Sequence, residues 1–289
     1  MRKKLAVISL ICFLVSCNGL QDKKVLDQAF EYIENFFKKS DLKERTPTLI
    51  LKNLPLSPSL KKWSTASGFI LKPNKQSISI YSKDNELLGK IVKNGRHQVV
   101  TTFPLIGKKA VNPLLDAKLF PNTTYKIENS IFKTDKLARV VSAEISTIPK
   151  NIIKRHRIKG ARENAKAMAK DGIKGVDHGG HLIAHTLGGN SGAINIVAQS
   201  GRLNIGKFAS VEDLIRKNRT HIKNYKVDVI YKGNSKRPVA FRQKFEFRGI
   251  EKKLEKLRKK NPDFRYLKKK DLNGHPYFNC IIFHKNIKK

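Results

Sequence analysis

Eight histidines occur in the chain, and three of them fall within residues 177–185, "DHGGHLIAH". Two chemistries suit such a cluster. The first is a zinc site, because His178, His181 and His185 form H-x2-H-x3-H and the last two would lie one turn apart on a helix. A zincin helix, however, needs a glutamate directly after its first histidine, and Leu182 stands there. A closed structural zinc site would also call for cysteines, and none is nearby. The second chemistry is proton transfer. Imidazole titrates near neutral pH, and a positioned base of this kind contributes typically about 10²–10⁴-fold to a rate. The glycine pairs 179–180 and 188–189 favour a short strand between turns, on which His181, Ile183 and His185 share one face. Zinc stays open as the lesser alternative.

The segment that follows, "NIVAQSGRLNIGKFASVEDL", contains Asn195, Gln199, Asn204, Gly206, Phe208 and Glu212. An amide oxygen and a carboxylate eight residues apart on a helix are the oxygen donors that Mg²⁺ prefers, in a site that keeps several waters. Bland readings compete. Asn204 could cap a helix, Ser210 could be an N-cap with Asp213 at N3, and Asp177 could only brace a turn. The joint spacing favours the site.

Taken with "DHGGHLIAHTLGG", this stretch resembles the DNA/RNA non-specific endonuclease family of ββα-metal nucleases. That pattern has an acid followed by Gly-His on a strand, a double glycine and Asn-x-x-x-Gln. A helix then carries Asn, with Gly at +2, an aromatic at +4 and Glu at +8. Upstream, "FKTDKLARVVSAE" resembles the strand pair of the family's toxin-associated branch, so the resemblance covers about 112–250. It implies His181 as general base and Asn195 in the catalytic set. It also implies Mg²⁺, with Mn²⁺ as a substitute, held by Asn204, Glu212 and Asp177. The implied substrates are DNA and RNA, and in the toxin branch an immunity protein is an expected partner. The family's arginine before Gly-His is missing, and Gly179 takes its place. Arg139, in "DKLAR", is the candidate phosphate clamp and Arg157 its rival.

The elements that must position these residues follow from hydrophobic period. The expected class is α+β: a ββα-metal nuclease core on an antiparallel sheet, preceded by a small β-rich N-terminal module. "SGFILK", "QSISIYS", "ELLGKIV" and "HQVVTTF" alternate as strands within a module of 48–111. The nuclease domain spans 112–289, where "TTYKI", "SIFKTDKLARVVSAEIS", "YKVDVIY" and "VAFRQKFEF" read as strands. "VEDLIRKNRTHI" and "EKKLEKLRKKNPDF" read as helices. "TPTLILKNLPLSPSL", with three prolines, reads as an irregular connection.

The N-terminus has its own logic. Arg2, Lys3 and Lys4 precede the apolar run Leu5–Val15, which is short for a bilayer span, and "LVSC" resembles a lipoprotein cleavage site. Residues 1–16 are therefore expected to be a signal peptide, with Cys17 lipidated and membrane-anchored, and 17–47 an anchor with an amphipathic helix. Only Cys280 then remains as a free thiol, which excludes an intrachain disulfide fold; its apolar surroundings make it a small buried hydrophobe. The net charge is +37, and removing Arg2, Lys3 and Lys4 leaves about +34. Such a field draws polyanions and makes binding salt-dependent. A catalytically inactive polycationic envelope lipoprotein that only binds nucleic acid is the alternative reading.

Overall fold

The structure is a computed structural model that describes residues 56–94, 97–103, 112–150, 167 and 170–287. The signal peptide, Cys17, the 17–47 helix and Arg157 lie outside the described residues. Residues 52–289 form one compact unit. Among the described residues, no helix is long and apolar enough to cross a membrane.

The unit is α+β and is dominated by an 11-stranded sheet. Helix α1 (Pro58–Ser67) opens it, starting in the last three residues of the segment read from sequence as irregular and running on through residues that sequence reading left unassigned. Its start and stop are nonetheless encoded locally. The Ser57 hydroxyl accepts from the Leu60 N–H, Pro58 takes the first turn, and Gly68 closes the helix at φ 70°. Four strands follow as expected: β1 (Ile70–Pro73), β2 (Ile78–Tyr81), β3 (Leu87–Asn94) and β4 (His97–Thr102). These four pair antiparallel in sequence order. β4 then pairs in parallel with β5 (Thr123–Ile127). The strands of 48–111 therefore continue the sheet built by 112–289.

β6 (Ser130–Thr134), β7 (Val140–Thr147), β10 (Ile222–Ile230) and β11 (Ala240–Phe247) extend the sheet antiparallel. Beyond them come β13 (Pro276–Lys285) and, at the edge, β12 (Phe264–Lys270). Sequence reading missed β12, whose alternation is obscured by Arg265 and Lys268–Lys270. Most of its side chains are exposed, the three lysines included. Helix α3 (Glu251–Lys260) precedes β12 and buries Leu254 and Leu257 beneath a charged surface. Cys280 is buried in β13, as its apolar setting implied.

The remaining pieces build a ββα unit. β8 (Asp177–His181) and β9 (Ile196–Ser200) form a separate two-stranded ribbon. β9 runs directly into a helical segment: one turn (Gly201–Leu203), a π-helical turn (Asn204–Phe208), then α2 (Ala209–Lys217). Val211 and Ile215 are buried along α2, and Phe208 packs edge-on against Phe241 of β11 at 5.8 Å between centroids. Burying this apolar stripe at helical spacing seats the segment on the large sheet.

The candidate active site

The histidine strand is shorter than its sequence suggested. β8 ends at His181, Leu182 and Ile183 turn into the core, and His185 opens a 3₁₀ turn (His185–Leu187). His181, Ile183 and His185 therefore do not share a strand face. The bend still brings the His181 and His185 rings to 4.6 Å between centroids. Asn195 makes the bend. It is 0 % exposed, its Oδ1 accepts from the Ile183 N–H, and its Nδ2 donates to the carbonyls of Ile183 and Asn190. With both amide atoms spent on backbone, Asn195 positions the loop. The sequence places Asn195 in the catalytic set; in the structure its amide is bonded to the backbone of the loop. Gly189 completes the bend, since a Cβ there would collide with the Ile183 carbonyl.

His181 is half-buried, and its Nε2 has no hydrogen-bond partner among the described residues. Burial, helped by the neighbouring His185, lowers its pKa from 6.5 to about 4, so the ring is neutral at ordinary pH. His185 differs: its Nδ1 pairs with the Gly189 carbonyl at 3.0 Å and its Nε2 lies 3.5 Å from the Ser191 hydroxyl. His178 lies exposed near Gly201, where an added Cβ would meet its ring. Among the described residues, no three His, Cys, Asp or Glu side chains group as a metal site. The three histidines therefore form no zinc cluster.

Asp177 was expected among the metal ligands, and the structure ties it elsewhere. Arg237, sixty residues on, grips both carboxylate oxygens at 2.5 and 2.9 Å, and the Ile173 N–H donates a third bond at 2.7 Å. Burial alone would raise the Asp177 pKa, but these donors outweigh it and hold the carboxyl below 3.8. Arg237 also donates to the Asn286 carbonyl. Asn286 in turn accepts from the Ser200 N–H and donates to the carbonyls of Ala198 and Pro238. The β10–β11 connection and the end of β13 thus lock the ribbon in place. Sequence reading missed Arg237 and Asn286 because no local pattern marks a partner so far along the chain.

Arg139 is likewise committed. Its guanidinium donates to Asp135 and to the carbonyls of Gly233 and Ser235, and it lies 4.4 Å over the Tyr231 ring. Four of its five N–H donors are engaged in holding two loops, so Arg139 sits as a scaffold residue in this structure.

Asn204 and Glu212 lie on the helical segment. Ser210 is not an N-cap: its hydroxyl donates to the Lys207 carbonyl, and helix runs on through it. The irregularity sits earlier, at Gly206, whose φ −104° and ψ −107° interrupt the π turn. Asn204 is half-buried, and its side chain makes no hydrogen bond within the described residues. The Glu212 Oε1 accepts from the Ala184 N–H at 3.0 Å, which ties α2 to the loop three residues beyond His181. Burial pushes the Glu212 carboxyl up to about 8, against the lowering effect of that N–H.

These groups set opposing pH dependences. His181 and the buried His284 both have folded pKa values lowered to about 4 by burial. Stability they contribute is complete above 6.5 and is lost as pH falls through 4. Glu212 works in the other direction: its contribution is complete below 4.5 and is lost as pH rises through 8. The aspartates gripped by arginine titrate below 3.8 and stay outside this window. In chelator, urea denaturation should therefore show a stability maximum between pH 5 and 7, with a decline of a few kcal/mol toward pH 4. Stability that stays flat from pH 7 to 4 would contradict two buried neutral imidazoles.

Comparison with known proteins agrees with the motif reading. Residues 121–249 match the family model of the DNA/RNA non-specific endonucleases, a span that holds all of His181, Asn195, Asn204 and Glu212. Over 82 residues the chain is 37% identical to the type VII secretion system protein EssD of Staphylococcus aureus, strain USA300. That match covers 25% of this chain and 13% of EssD. The same segment matches EssD of strain NCTC 8325 / PS 47 equally. Among solved structures, an extracellular endonuclease is similar at 19% identity and TM-score 0.34, covering 61% of this chain and 86% of that one. An extracellular nuclease is similar at 15% identity and TM-score 0.29, covering 53% and 80%.

Proposed function

We propose that the chain is a metal-dependent nuclease hydrolysing phosphodiester bonds of DNA, and of RNA, without sequence preference. The observation that supports this most is the ββα unit itself. It ends one strand on a neutral histidine with an unpartnered ring nitrogen, and it ties the adjoining loop to the helix carrying Asn204 and Glu212. His181 is the general base. Burial keeps its ring in the proton-accepting form, and the approach of an anionic phosphate raises its affinity for the proton from water.

The amide of Asn204 and the carboxyl of Glu212 are oxygen donors, and they suit Mg²⁺, with Mn²⁺ as a substitute. Asn204 would hold the ion directly and Glu212 through water. A bound ion of this kind supplies Lewis acidity at the phosphate and leaving oxygen. Asp177, Asn195 and Arg237 hold the strand and loop that aim His181. The net charge of +37 draws the strand in through its backbone, where contacts carry no base information. The cell-envelope reading is retained: Cys17 as lipid anchor, and an immunity protein as partner if the enzyme serves as a toxin.

The test is plasmid nicking by the 18–289 protein with Mg²⁺ and with chelator. Nicking should require the metal, and Asn204→Ala should abolish it or shift its Mg²⁺ requirement strongly upward. Tight binding without nicking would instead establish the inactive polycationic binder.

A further inference from the structure

We propose that a cationic cleft beside the site helix, walled by Arg202, Lys207 and Lys285 and floored by His284, is a second subsite that holds one nucleotide unit of the bound strand. This rests on the nuclease reading for its ligand and extends it to a place that reading does not use. The cleft has a volume of about 410 Å³, which falls in the range of small-ligand sites. Arg202 and Lys207 bracket Asn204 on the same helical segment, and Lys285 comes from the end of β13. All three cations are exposed, and within the described residues none makes an ion pair or hydrogen bond. Asp263 is the single acid on the lining. Two surplus positive charges in a concave site favour phosphate over a neutral ligand.

The floor adds a separate observation. His284 borders the cleft yet is only 3 % exposed, and its Nδ1 has no hydrogen-bond partner among the described residues. Its protonation is constrained from behind. Gln243 Nε2 donates to the Tyr225 hydroxyl at 2.8 Å, which turns Gln243 Oε1 toward His284 Nε2 at 2.7 Å. His284 Nε2 must then donate, and Nδ1 is left as a bare acceptor. A buried acceptor without a donor is costly. The phosphodiester group of a strand has no O–H and cannot supply that donor, whereas a sugar hydroxyl or a base amino group can. The cleft therefore offers cations to a phosphate and, once the His284 ring tilts to uncover Nδ1, which is closed to solvent here, an acceptor to the sugar or base attached to it, which together describe a nucleotide.

Binding in chelator separates this from catalysis. Affinity of the full-length chain for a labelled single-stranded DNA should be measured against salt for wild type and Lys207→Gln/Lys285→Gln. Losing the contact to the one phosphate held there should flatten the log–log salt slope by roughly 0.7. The control pair, Lys268→Gln/Lys270→Gln on edge strand β12, should keep the wild-type slope. An unchanged slope in the cleft pair, or an equal loss in both pairs, would overturn the subsite. At pH 8, adenosine 5′-monophosphate should displace the strand at about tenfold lower concentration than methyl phosphate, which has the same charge and no donor, the worth of one buried hydrogen bond. Equal potency would overturn the part assigned to His284. Wild-type nicking with an unchanged cleft slope would sink the subsite alone, and a flattened slope without nicking would sink the nuclease reading alone.

Discussion

His181→Ala should cut plasmid nicking by about 10²–10⁴-fold while the Mg²⁺ requirement and the affinity for DNA in chelator stay close to wild type. The expectation follows from where the ring sits. It closes β8, one nitrogen is buried and unpartnered among the described residues, and no group of three His, Cys, Asp or Glu side chains that could hold a metal forms around it there. Removing a base leaves the strand held by the same cations, so the loss should fall on turnover. A histidine that ligated the ion would behave otherwise, because excess Mg²⁺ would then restore the rate. Such a rescue, or stoichiometric zinc in the purified protein, would revive the zinc reading. His185→Ala is the useful companion. His185 bonds the Gly189 carbonyl and packs on His181, so its removal should lower stability more than it lowers chemistry.

Asp177→Ala should cost about 3–5 kcal/mol of stability, read by urea denaturation in chelator. The Asp177 side chain is fully buried, and the mutation would leave the Arg237 guanidinium without its counter-charge inside the structure. By contrast, Asp213→Ala removes exposed pairs with Arg216 and Lys217 and should change stability by about 1 kcal/mol or less. The double variant Asp177→Ala/Arg237→Leu should recover part of the loss, since the unpaired charge goes with its partner. If Asp177 were a metal ligand, its substitution would leave metal-free stability intact and raise the Mg²⁺ requirement. That outcome would restore the role the sequence suggested for it.

The parts of the fold that were legible in the sequence are those written in local period. β5, β6, β7, β10 and β11 alternate cleanly because one of their faces is buried, and α3 shows its charged surface directly. Helix α1 was missed although Ser57-Pro58 and Gly68 mark both of its ends, because the prolines around it outweighed the caps. The site divides in the same way. Motif spacing led to His181, Asn204 and Glu212, residues whose side chains are not consumed by the scaffold's own hydrogen bonds apart from the Ala184 link. The same motif credited Asn195 and Asp177 with chemistry, whereas their polar atoms are filled by backbone and by Arg237. Spacing records that a residue matters to the site; only its partners in space show whether it reacts or supports.

Among the described residues the 11-stranded sheet is open, not closed, so it ends in two edge strands, β1 and β12. On one rim β1 offers only four residues and ends in Pro73, which has no N–H to donate. On the other, β12 carries Lys268, Lys269 and Lys270 in succession along its exposed run. A second molecule presenting the same rim would bring like charges into opposition at the spacing of paired strands, where such pairs are unfavourable. The lysine surplus that draws in a polyanion thus also guards against self-assembly. A long flat sheet of this kind would otherwise be a template for a twelfth strand from a neighbour, and for aggregation at high concentration.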